Sequence, residues 1–313
     1  MSTFKGLRRI QATLALFVGL ASPGCTHLFY HPTDAMYVKE PAKLDGLRQE
    51  LQLTSSDGVK IAAWWIPSRT GKPARGTIVQ FHGNAQNMTA HFIAVNWLAD
   101  EGYDLLTFDY RGYGISEGSP SQKGVELDAQ TAIRYALART PLDPSGAAHV
   151  TLYGQSLGGA ILMHAYPTLT RAERARVRCL IVESSFHSYT AIARDVLSRS
   201  WATWLLQPLA YLLVSNLTSP EHVIEQIAPT PLLVVHGDQD PVVPLEFGKR
   251  IYELADPPKK LHVIAGGGHL IAGPNGRARA REAIIDWIAN PPQNVYLTTP
   301  NPLNKVVAIS PKR

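Results

Sequence analysis

Cysteine is scarce in this chain, with only Cys25 and Cys179 among 313 residues. The two lie in very different sequence contexts, so the sequence predicts no disulfide framework. Charged residues are also sparse: they make up 18% of the chain, the net charge is +5, and lysine and arginine are scattered. This scatter excludes the basic stripe of a nucleic-acid-binding surface. Hydrophobic residues make up 45% of the chain, which is ample for one sizeable core.

Motifs for bound metals and nucleotides are missing too. No spacing of possible ligands fits a metal site, and no G-x-x-x-x-G-K-[ST] loop that would hold a phosphate occurs. The chain has no internal repeat and no low-complexity block. We therefore expect no cofactor, no metal, and one domain with short appendages.

The N-terminus has the pattern of an export signal. An apolar run over residues 10–21 follows Lys5, Arg8 and Arg9. The run is too short to span a bilayer comfortably, which is typical of a signal segment rather than a membrane helix. We therefore expect the folded domain to begin after this segment.

The run is followed by Cys25 in a context that resembles a bacterial lipobox, where the cysteine is lipidated and becomes the mature N-terminus. Ser22 stands where that motif usually has leucine, so ordinary signal-peptidase cleavage beside a passive cysteine is the alternative. By resemblance to such lipoproteins, Thr26 favours the outer membrane. We expect residues 1–25 to form a signal segment, Cys25 to be lipidated, and the protein to be exported to the bacterial cell envelope, anchored on the periplasmic side of the outer membrane.

Short apolar stretches alternate with helix-length segments through most of the chain. Residues 47–67 alternate around the turn-forming residues 55–58, which predicts an antiparallel hairpin at the start of the domain. Residues 124–138 have apolar positions at helical spacing. Six further strands are predicted at 77–81, 105–108, 150–153, 179–182, 232–235 and 261–264. This alternation predicts an α/β domain over 47–290 with a doubly wound, mostly parallel sheet.

Three regions depart from this repeating unit. Residues 184–230 carry an aromatic- and leucine-rich stretch that predicts one or two helices, placed as a small helical lid over the C-terminal edge of the sheet. An ordinary amphipathic packing helix is the alternative. Residues 26–46 are expected to be a linker, and residues 291–313, rich in proline and asparagine, an irregular tail.

A G-x-S-x-G motif from Gly154 to Gly158 directly follows the predicted strand 150–153 and precedes a helix-compatible stretch. On such a strand-to-helix turn, Ser156 points its oxygen out of the sheet, and the glycines remove side chains that would collide. The helix N-terminus beyond it supplies oriented N–H groups. Ser156 is therefore the candidate nucleophile, and a glycine-rich turn with a solvated serine is the alternative.

A serine hydroxyl is a poor nucleophile at neutral pH and needs a base and an orienting acid. Asp240 follows the predicted strand 232–235, and His269 follows the predicted strand 261–264. Both therefore lie on loops at the C-terminal ends of strands, where α/β enzymes build their sites. The sequence predicts His269 as the base and Asp240 as the acid.

Other residues compete for both roles. Asp238 is the local rival of Asp240, and Glu183 is a more distant one. We favour Asp240 because the two prolines that follow it, Pro241 and Pro244, belong to a turn suited to holding its carboxylate towards the histidine. Four other histidines are less suited to act as the base. His236 and His262 lie within or at the end of predicted strands, and His149 precedes a strand at the wrong sheet edge. His187 comes before Asp240 in the chain, which breaks the expected order.

Tetrahedral intermediates need hydrogen-bond donors aimed at the developing negative charge. The segment His82-Gly83-Asn84 follows the predicted strand 77–81 and fits this need. It predicts an oxyanion hole made by the backbone N–H groups of Asn84 and Leu157. A plain strand-ending turn is the alternative.

Together these segments resemble the α/β-hydrolases, whose order of nucleophile, acid and base is the order of Ser156, Asp240 and His269. The resemblance is to the serine aminopeptidase-like and monoglyceride lipase-like branch, including bacterial lipoprotein members. Residues 108–118 carry it as well, and the family uses this glycine-rich loop to brace the oxyanion side. The resemblance implies structural roles there for three polar residues: Asp109, Arg111 and Ser116.

The resemblance implies a serine hydrolase that cleaves ester, thioester or amide bonds of small to medium acyl substrates through an acyl-enzyme. A serine aminopeptidase is one alternative, and a catalytically inactive hydrolase-like lipoprotein that binds a partner is another. A decayed enzyme would have no reason to keep nucleophile, acid, base and oxyanion turn together. Ser156 also disfavours haloalkane dehalogenation, which uses aspartate at that position. The expected partners are a small acyl substrate and, through the N-terminal segment, a membrane.

Overall fold

The computed structural model of the chain describes residues 29–37, 48–142, 149–270 and 278–292. The predicted signal segment with Cys25 lies outside the described residues, as does most of the predicted linker and of the C-terminal tail. Within the described ranges, no helix is both long and apolar enough to cross a membrane.

Eight strands form one sheet in the order β1-β2-β4-β3-β5-β6-β7-β8. The strands are β1 Gln49–Thr54, β2 Lys60–Ile66, β3 Thr77–Phe81, β4 Asp104–Phe108, β5 Val150–Gln155, β6 Val177–Glu183, β7 Leu232–Gly237 and β8 Lys259–Ile264. β1 pairs antiparallel with β2, β2 pairs antiparallel with β4, and all other neighbours are parallel. The predicted mostly parallel sheet with an antiparallel hairpin at its start is confirmed.

In the described part of the chain, ten α-helices pack around this sheet or over one edge of it. They are α1 Met88–His91, α2 Trp97–Asp100, α3 Gln122–Arg139, α4 Leu157–Ala165, α5 Arg171–Arg174, α6 Tyr189–Ser198, α7 Trp201–Trp204, α8 Ala210–Leu213, α9 Leu245–Leu254 and α10 Ala278–Ala289. The helix predicted at 124–138 is α3, which begins two residues earlier because the Ser121 side chain accepts a hydrogen bond from Gly124 N at 3.1 Å.

Side chains of the central strands are buried on both faces of the sheet, which is why their sequences are apolar runs rather than alternating patterns. On β3, the neighbours Ile78 and Val79 belong to separate core clusters on opposite faces. The cluster of Val79 includes residues of α3, α4 and α9, and the cluster of Ile78 includes residues of α1, α2 and α10. The sheet is therefore doubly wound, as predicted.

Parallel strands bring their carboxyl ends to one edge of the sheet. β3, β5, β7 and β8 run parallel, and the sequence-predicted site residues follow their ends at Phe81, Gln155, Gly237 and Ile264. The topology alone therefore collects the candidate site residues along the C-terminal edge, with the serine on a central strand.

The lid segment, residues 184–230, contains three short α-helices rather than the one or two predicted. α6 ends at Ser198, and the Ser200 side chain then accepts from Ala202 N at 3.3 Å to begin α7. Pro208 lies in a 3-10 turn, Gln207–Leu209, just before α8. A serine cap and a proline, which lacks a backbone N–H, both favour new helix starts and divide the stretch.

Candidate active site

Ser156 lies on a sharp turn between β5 and α4, with φ of 52° and ψ of −120°. This left-handed conformation is costly for a residue with a side chain, and such strain concentrates at functional sites. A Cβ atom on Gly158 would lie 2.1 Å from the carbonyl oxygen of Phe81, and one on Gly154 would lie 2.6 Å from Cα of Gly159. The two glycines of the motif are therefore required by close backbone approach.

Hydrogen bonds with the end of β6 and with the residues after it hold the turn at Ser156 in place. Ser156 N donates to Glu183 O at 2.9 Å, and the Ser185 hydroxyl donates to Ser156 O at 2.8 Å. The buried Glu183 carboxylate accepts from the Tyr153 hydroxyl at 2.6 Å and from Gln155 Nε2 at 2.7 Å. Glu183, the distant rival for the acid, therefore supports the nucleophile turn.

Asp240 and His269 are brought into direct contact by the loops after β7 and β8. His269 Nδ1 lies 2.7 Å from Asp240 Oδ2. The other carboxylate oxygen, Oδ1, accepts from Val242 N at 2.8 Å and from Val243 N at 2.9 Å. The turn that follows Asp240 thus fixes its carboxylate, leaving one oxygen for the histidine.

The environment of Asp240 favours its charged form. Burial of the carboxyl raises its pKa, but the hydrogen bond and charge of His269, together with the Val243 and Val242 N–H groups, outweigh burial, so the pKa lies below its usual range. A carboxylate ionised at neutral pH stabilises the imidazolium that forms when the histidine takes a proton. The pair can therefore act as an oriented base.

The rival Asp238 has a different partner. Its side chain is exposed, and its Oδ1 accepts a hydrogen bond from Gly266 N at 2.5 Å. That bond ties the loop after β7 to the glycine-rich loop before His269. Asp238 therefore holds the loop, whereas Asp240 holds the imidazole.

The other histidines weighed as bases have structural surroundings. His236 is fully buried, its Nε2 lies 2.8 Å from Val243 O, and burial lowers its pKa, which keeps the ring neutral. The ring of His187 packs in a tilted arrangement against Phe247, and the backbone carbonyl of His149 accepts from Thr77 N at the amino end of β3. His262 lies within β8. Among these candidates His269 has the shortest contact with a carboxylate, 2.7 Å to Asp240 Oδ2, whereas Nε2 of His236 lies 3.5 Å from the same oxygen.

The segment predicted to form the oxyanion hole lies against the serine. A Cβ atom on Gly83 would be 3.6 Å from Cβ of Ser156. Leu157 is the first residue of α4, so its N–H has no partner inside that helix. Asn84, Ser156 and Leu157 line the same cavity. The backbone donors expected from Asn84 and Leu157 thus belong to segments that meet at the serine.

The Asn84 side chain fixes its own loop. Its Oδ1 accepts from Ala85 N at 2.8 Å, from His31 N at 3.0 Å and from the Tyr113 hydroxyl at 3.0 Å. The next two residues, Ala85 and Gln86, both have positive φ angles, 56° and 59°. Three hydrogen bonds to one oxygen hold this strained loop in place.

The loop over residues 108–118 supports the part of the site that contains the predicted oxyanion hole. The Asp109 carboxylate accepts from Met88 N at 2.6 Å, and the Ser116 hydroxyl donates to Asp109 O at 2.9 Å. The Arg111 guanidinium bridges the carboxylates of Asp57 and Asp128, at 2.7 and 2.8 Å. Asp109, Arg111 and Ser116 therefore make structural contacts, as the family resemblance implies.

Residues 29–37, predicted as part of a linker, pack against residues 82–87, the predicted oxyanion loop; we call residues 29–37 the N-terminal strap. Besides the bond from His31, the Asn87 side chain donates to Thr33 O at 2.9 Å and to Ala35 O at 2.8 Å. Gly114 N also donates to Thr33 O, at 3.0 Å. Most of these contacts use strap backbone atoms, so the sequence carries no signal for them.

A cavity of about 530 Å³ opens beside Ser156, within the range of small-molecule sites. Lid residues supply most of its wall, among them Phe186, Ile192, Leu206, Leu209 and Leu213, with Phe29 of the strap also present. Val242 and Val243, which hold Asp240, border it from the acid loop. The wall is almost entirely apolar, and no Asp or Glu side chain lines it among the described residues.

Metal ligands are not grouped in the described ranges: no cluster of three or more His, Cys, Asp or Glu side chains could hold an ion there. The arrangement at the sheet edge instead offers a strained serine, a histidine oriented by a carboxylate, and a helix N-terminus. This is the set of groups needed for acyl transfer through a covalent intermediate.

The chain belongs to the α/β-hydrolase family. The family model described as the alpha/beta hydrolase fold matches residues 76–205. The uncharacterized protein YfhR of Escherichia coli strain K12 is 35% identical to it over 91% of this chain and 95% of its own. The α/β-hydrolase domain-containing protein WAV2 of Arabidopsis thaliana is 34% identical over 70% of each chain.

Solved structures show the same fold at low sequence identity. The esterase Pf2001 of Pyrococcus furiosus superposes with a TM-score of 0.63 at 18% identity, covering 84% of this chain and 97% of its own. Est1E of Butyrivibrio proteoclasticus, solved with ferulic acid bound, superposes with a TM-score of 0.56 at 18% identity, covering 77% of this chain and 98% of its own. The chain thus has an α/β-hydrolase fold with structural similarity to esterases.

Proposed function

We propose that the protein is a serine hydrolase that cleaves esters, and less readily thioesters or amides, of apolar acyl groups. The observation that carries this proposal is the 2.7 Å contact between His269 and Asp240 at the sheet edge that also bears the strained Ser156. Two backbone N–H groups hold one oxygen of the buried Asp240 carboxylate and leave the other to the imidazole, which is the arrangement that orients a base in a catalytic triad.

In the proposed reaction, Ser156 Oγ attacks the carbonyl carbon of the substrate while its proton passes to His269 Nε2. The carbonyl oxygen becomes an oxyanion, which the N–H groups of Asn84 and Leu157 stabilise. The C–O bond to the leaving group then breaks, and the leaving alcohol takes the proton from His269. Water attacks the acyl-enzyme by the same route, releasing the carboxylic acid and restoring the serine, while Asp240 stays ionised throughout.

The cavity favours an apolar acyl group over a peptide. An aminopeptidase must bind the free α-ammonium group of its substrate, and a carboxylate is the usual partner for such a charge. The described residues that line the cavity include no carboxylate, whereas aliphatic and aromatic side chains dominate. The monoglyceride lipase-like side of the sequence resemblance therefore fits this cavity better than the serine aminopeptidase-like side. The esterases among the structural neighbours agree with this choice.

A panel of p-nitrophenyl esters of increasing chain length tests the substrate class. We expect kcat/KM to rise by about fourfold for each added CH₂ until the cavity is filled, because burying a CH₂ group contributes about 0.8 kcal/mol. Aminoacyl p-nitroanilides serve as the matched peptide-like substrates and should be turned over far more slowly. A flat chain-length profile, or faster hydrolysis of the anilides, would contradict the proposed apolar acyl pocket. A protein that turns over no member of the panel would favour the inactive binding protein.

We further propose that the protein is exported and lipid-anchored through Cys25, which places it in the bacterial cell envelope. The support is the sequence pattern of an apolar run followed by a cysteine in a lipobox-like context. Mass spectrometry of protein from a bacterial membrane fraction should find an acylated N-terminal cysteine. Cys25→Ser should abolish the modification and release the protein from the membrane fraction, whereas an N-terminus at another residue in the wild type would contradict the anchor.

A further inference from the structure

The outer surface of the lid is unusually apolar. Residues 200–220 contain no charged side chain and no histidine. More than half of the large hydrophobic residues that are exposed in the described chain lie there, with Trp201 91% exposed, Leu205 77% and Leu212 74%. Contiguous exposed apolar surface of this kind marks a binding site for a partner or a membrane.

The exposed surface is continuous with the cavity beside Ser156. Leu206, Leu209 and Leu213 line the cavity and are also partly exposed, whereas Leu205 and Leu212 face away from the cavity wall. The lid is therefore apolar on both sides. A lid that only closed over a substrate in water would have a polar outer face.

Two observations indicate a lipid surface as the occupant. Tryptophan and tyrosine, here Trp201, Trp204 and Tyr211, are the residues enriched where proteins meet the membrane–water interface. In addition, Phe29 lines the cavity and lies only four residues after Cys25, the proposed lipid anchor. The segment proposed to hold the protein at the membrane thus joins the fold at the cavity itself.

Charge near the lid does not point to another kind of partner. Arg199 is neutralised by Asp195 and donates to the carbonyl oxygens of Pro241 and Val242, at 2.8 and 2.7 Å. Arg194 lies over the ring of Tyr211, 4.8 Å from its centroid. Neither arginine is placed to select acidic groups, so the surface suits a neutral lipid interface.

We propose that the outer lid surface, formed by Trp201, Trp204, Leu205, Tyr211, Leu212 and Leu217, docks into the interfacial region of a lipid bilayer. When this surface is docked, the cavity beside Ser156 opens towards the lipid. Acyl substrates then enter the cavity from the bilayer without crossing water. The entry route rests on the proposed hydrolase function, whereas the docking does not.

The test uses the full chain on phosphatidylcholine vesicles and the double variant Leu205→Glu/Leu212→Glu, which changes the outer surface and leaves the cavity wall intact. The matched control is Leu142→Glu, another exposed leucine, close to Thr140, whose hydroxyl contacts Thr77 at the amino end of β3. Hydrolysis of p-nitrophenyl palmitate in the vesicles should fall by about tenfold or more in the double variant, because two carboxylates must be desolvated on docking. Hydrolysis of dissolved p-nitrophenyl acetate should be unchanged in both variants.

Tryptophan fluorescence gives a second measurement that needs no activity. Brominated phosphatidylcholine should quench the wild type and the Leu142 variant, and quenching should be lost in the double variant. Trp201→Phe/Trp204→Phe should lose the same signal, since Trp64, Trp65 and Trp287 are buried and the partly buried Trp97 packs on the core beneath the Arg281 guanidinium. Unchanged vesicle hydrolysis in the double variant, absent quenching, or a lipid-free dimer that shields Trp201 would each overturn docking. Quenching by a wild type that hydrolyses neither ester would uphold docking and refute the hydrolase function.

Discussion

Ser156→Ala is expected to abolish both turnover and labelling by a fluorophosphonate probe. Removing the activated serine costs on the order of 10⁶-fold in kcat in triad enzymes, because the covalent pathway is lost and only binding and oxyanion stabilisation remain. The substitution should leave the fold intact, since no hydrogen bond that holds the turn uses the Ser156 side chain: both Ser156 N and Ser156 O bond through the backbone. Probe labelling followed by peptide mass spectrometry, with kcat on the preferred ester, measures the effect.

A variant of a second serine, Ser68, serves as the control for labelling at sites other than Ser156. Ser68 lies on a loop after β2, and its hydroxyl pairs with Thr70 at 3.1 Å, away from the cavity. Ser68→Ala should keep full labelling and full activity. Turnover close to that of the wild type in Ser156→Ala would refute the acyl-enzyme mechanism as a whole.

Asp240→Asn is expected to lower kcat by about 10⁴-fold, if the effect measured for the equivalent change in chymotrypsin applies. An amide keeps the shape but donates towards Nδ1 of His269, which favours the wrong tautomer and removes the charge that stabilises the imidazolium. The two backbone donors that now meet Oδ1, Val242 N and Val243 N, can still pair with an amide oxygen, so the fold should survive.

Asp238→Asn provides the matched control, two residues away on the same loop. Its carboxylate oxygen Oδ1 accepts from Gly266 N, and an amide oxygen can replace it there. We therefore expect a loss far smaller than that of Asp240→Asn, through loop stability alone. Measurement of kcat for both folded variants decides between the two residues, and the reverse ranking would move the acid to Asp238.

Much of the fold could be predicted from the sequence because the strands are short apolar runs with turn signals between them. The predicted strand at 77–81 is β3 itself, and five others differ from the structure by at most two residues at either end. Burial on both faces produces such runs, and a run is easier to detect than an alternation. The placement of candidate residues directly after strands likewise follows from the topology of parallel sheets.

The contacts of the candidate site were less predictable. Asp238 and Asp240 both follow β7, and only the path of the loop shows that the first meets Gly266 while the second meets His269. Pro241 and Pro244 favoured Asp240, but a turn preference does not specify which oxygen accepts which donor. The division of the lid into three helices was missed because short helices are set by local caps more than by periodicity.

The N-terminal strap bears on how the catalytic domain should be produced in isolation. A domain boundary chosen at the first strand would begin near Gln49 and discard the backbone groups that meet Asn84 and Asn87. Each such hydrogen bond contributes about 1 kcal/mol net, and the loss of several would leave the side-chain donors and acceptors of the oxyanion loop to water. Such a fragment would retain the whole sheet and still have a loosened loop at Asn84 and Asn87. Expression of a shortened form of the protein should therefore start no later than Phe29.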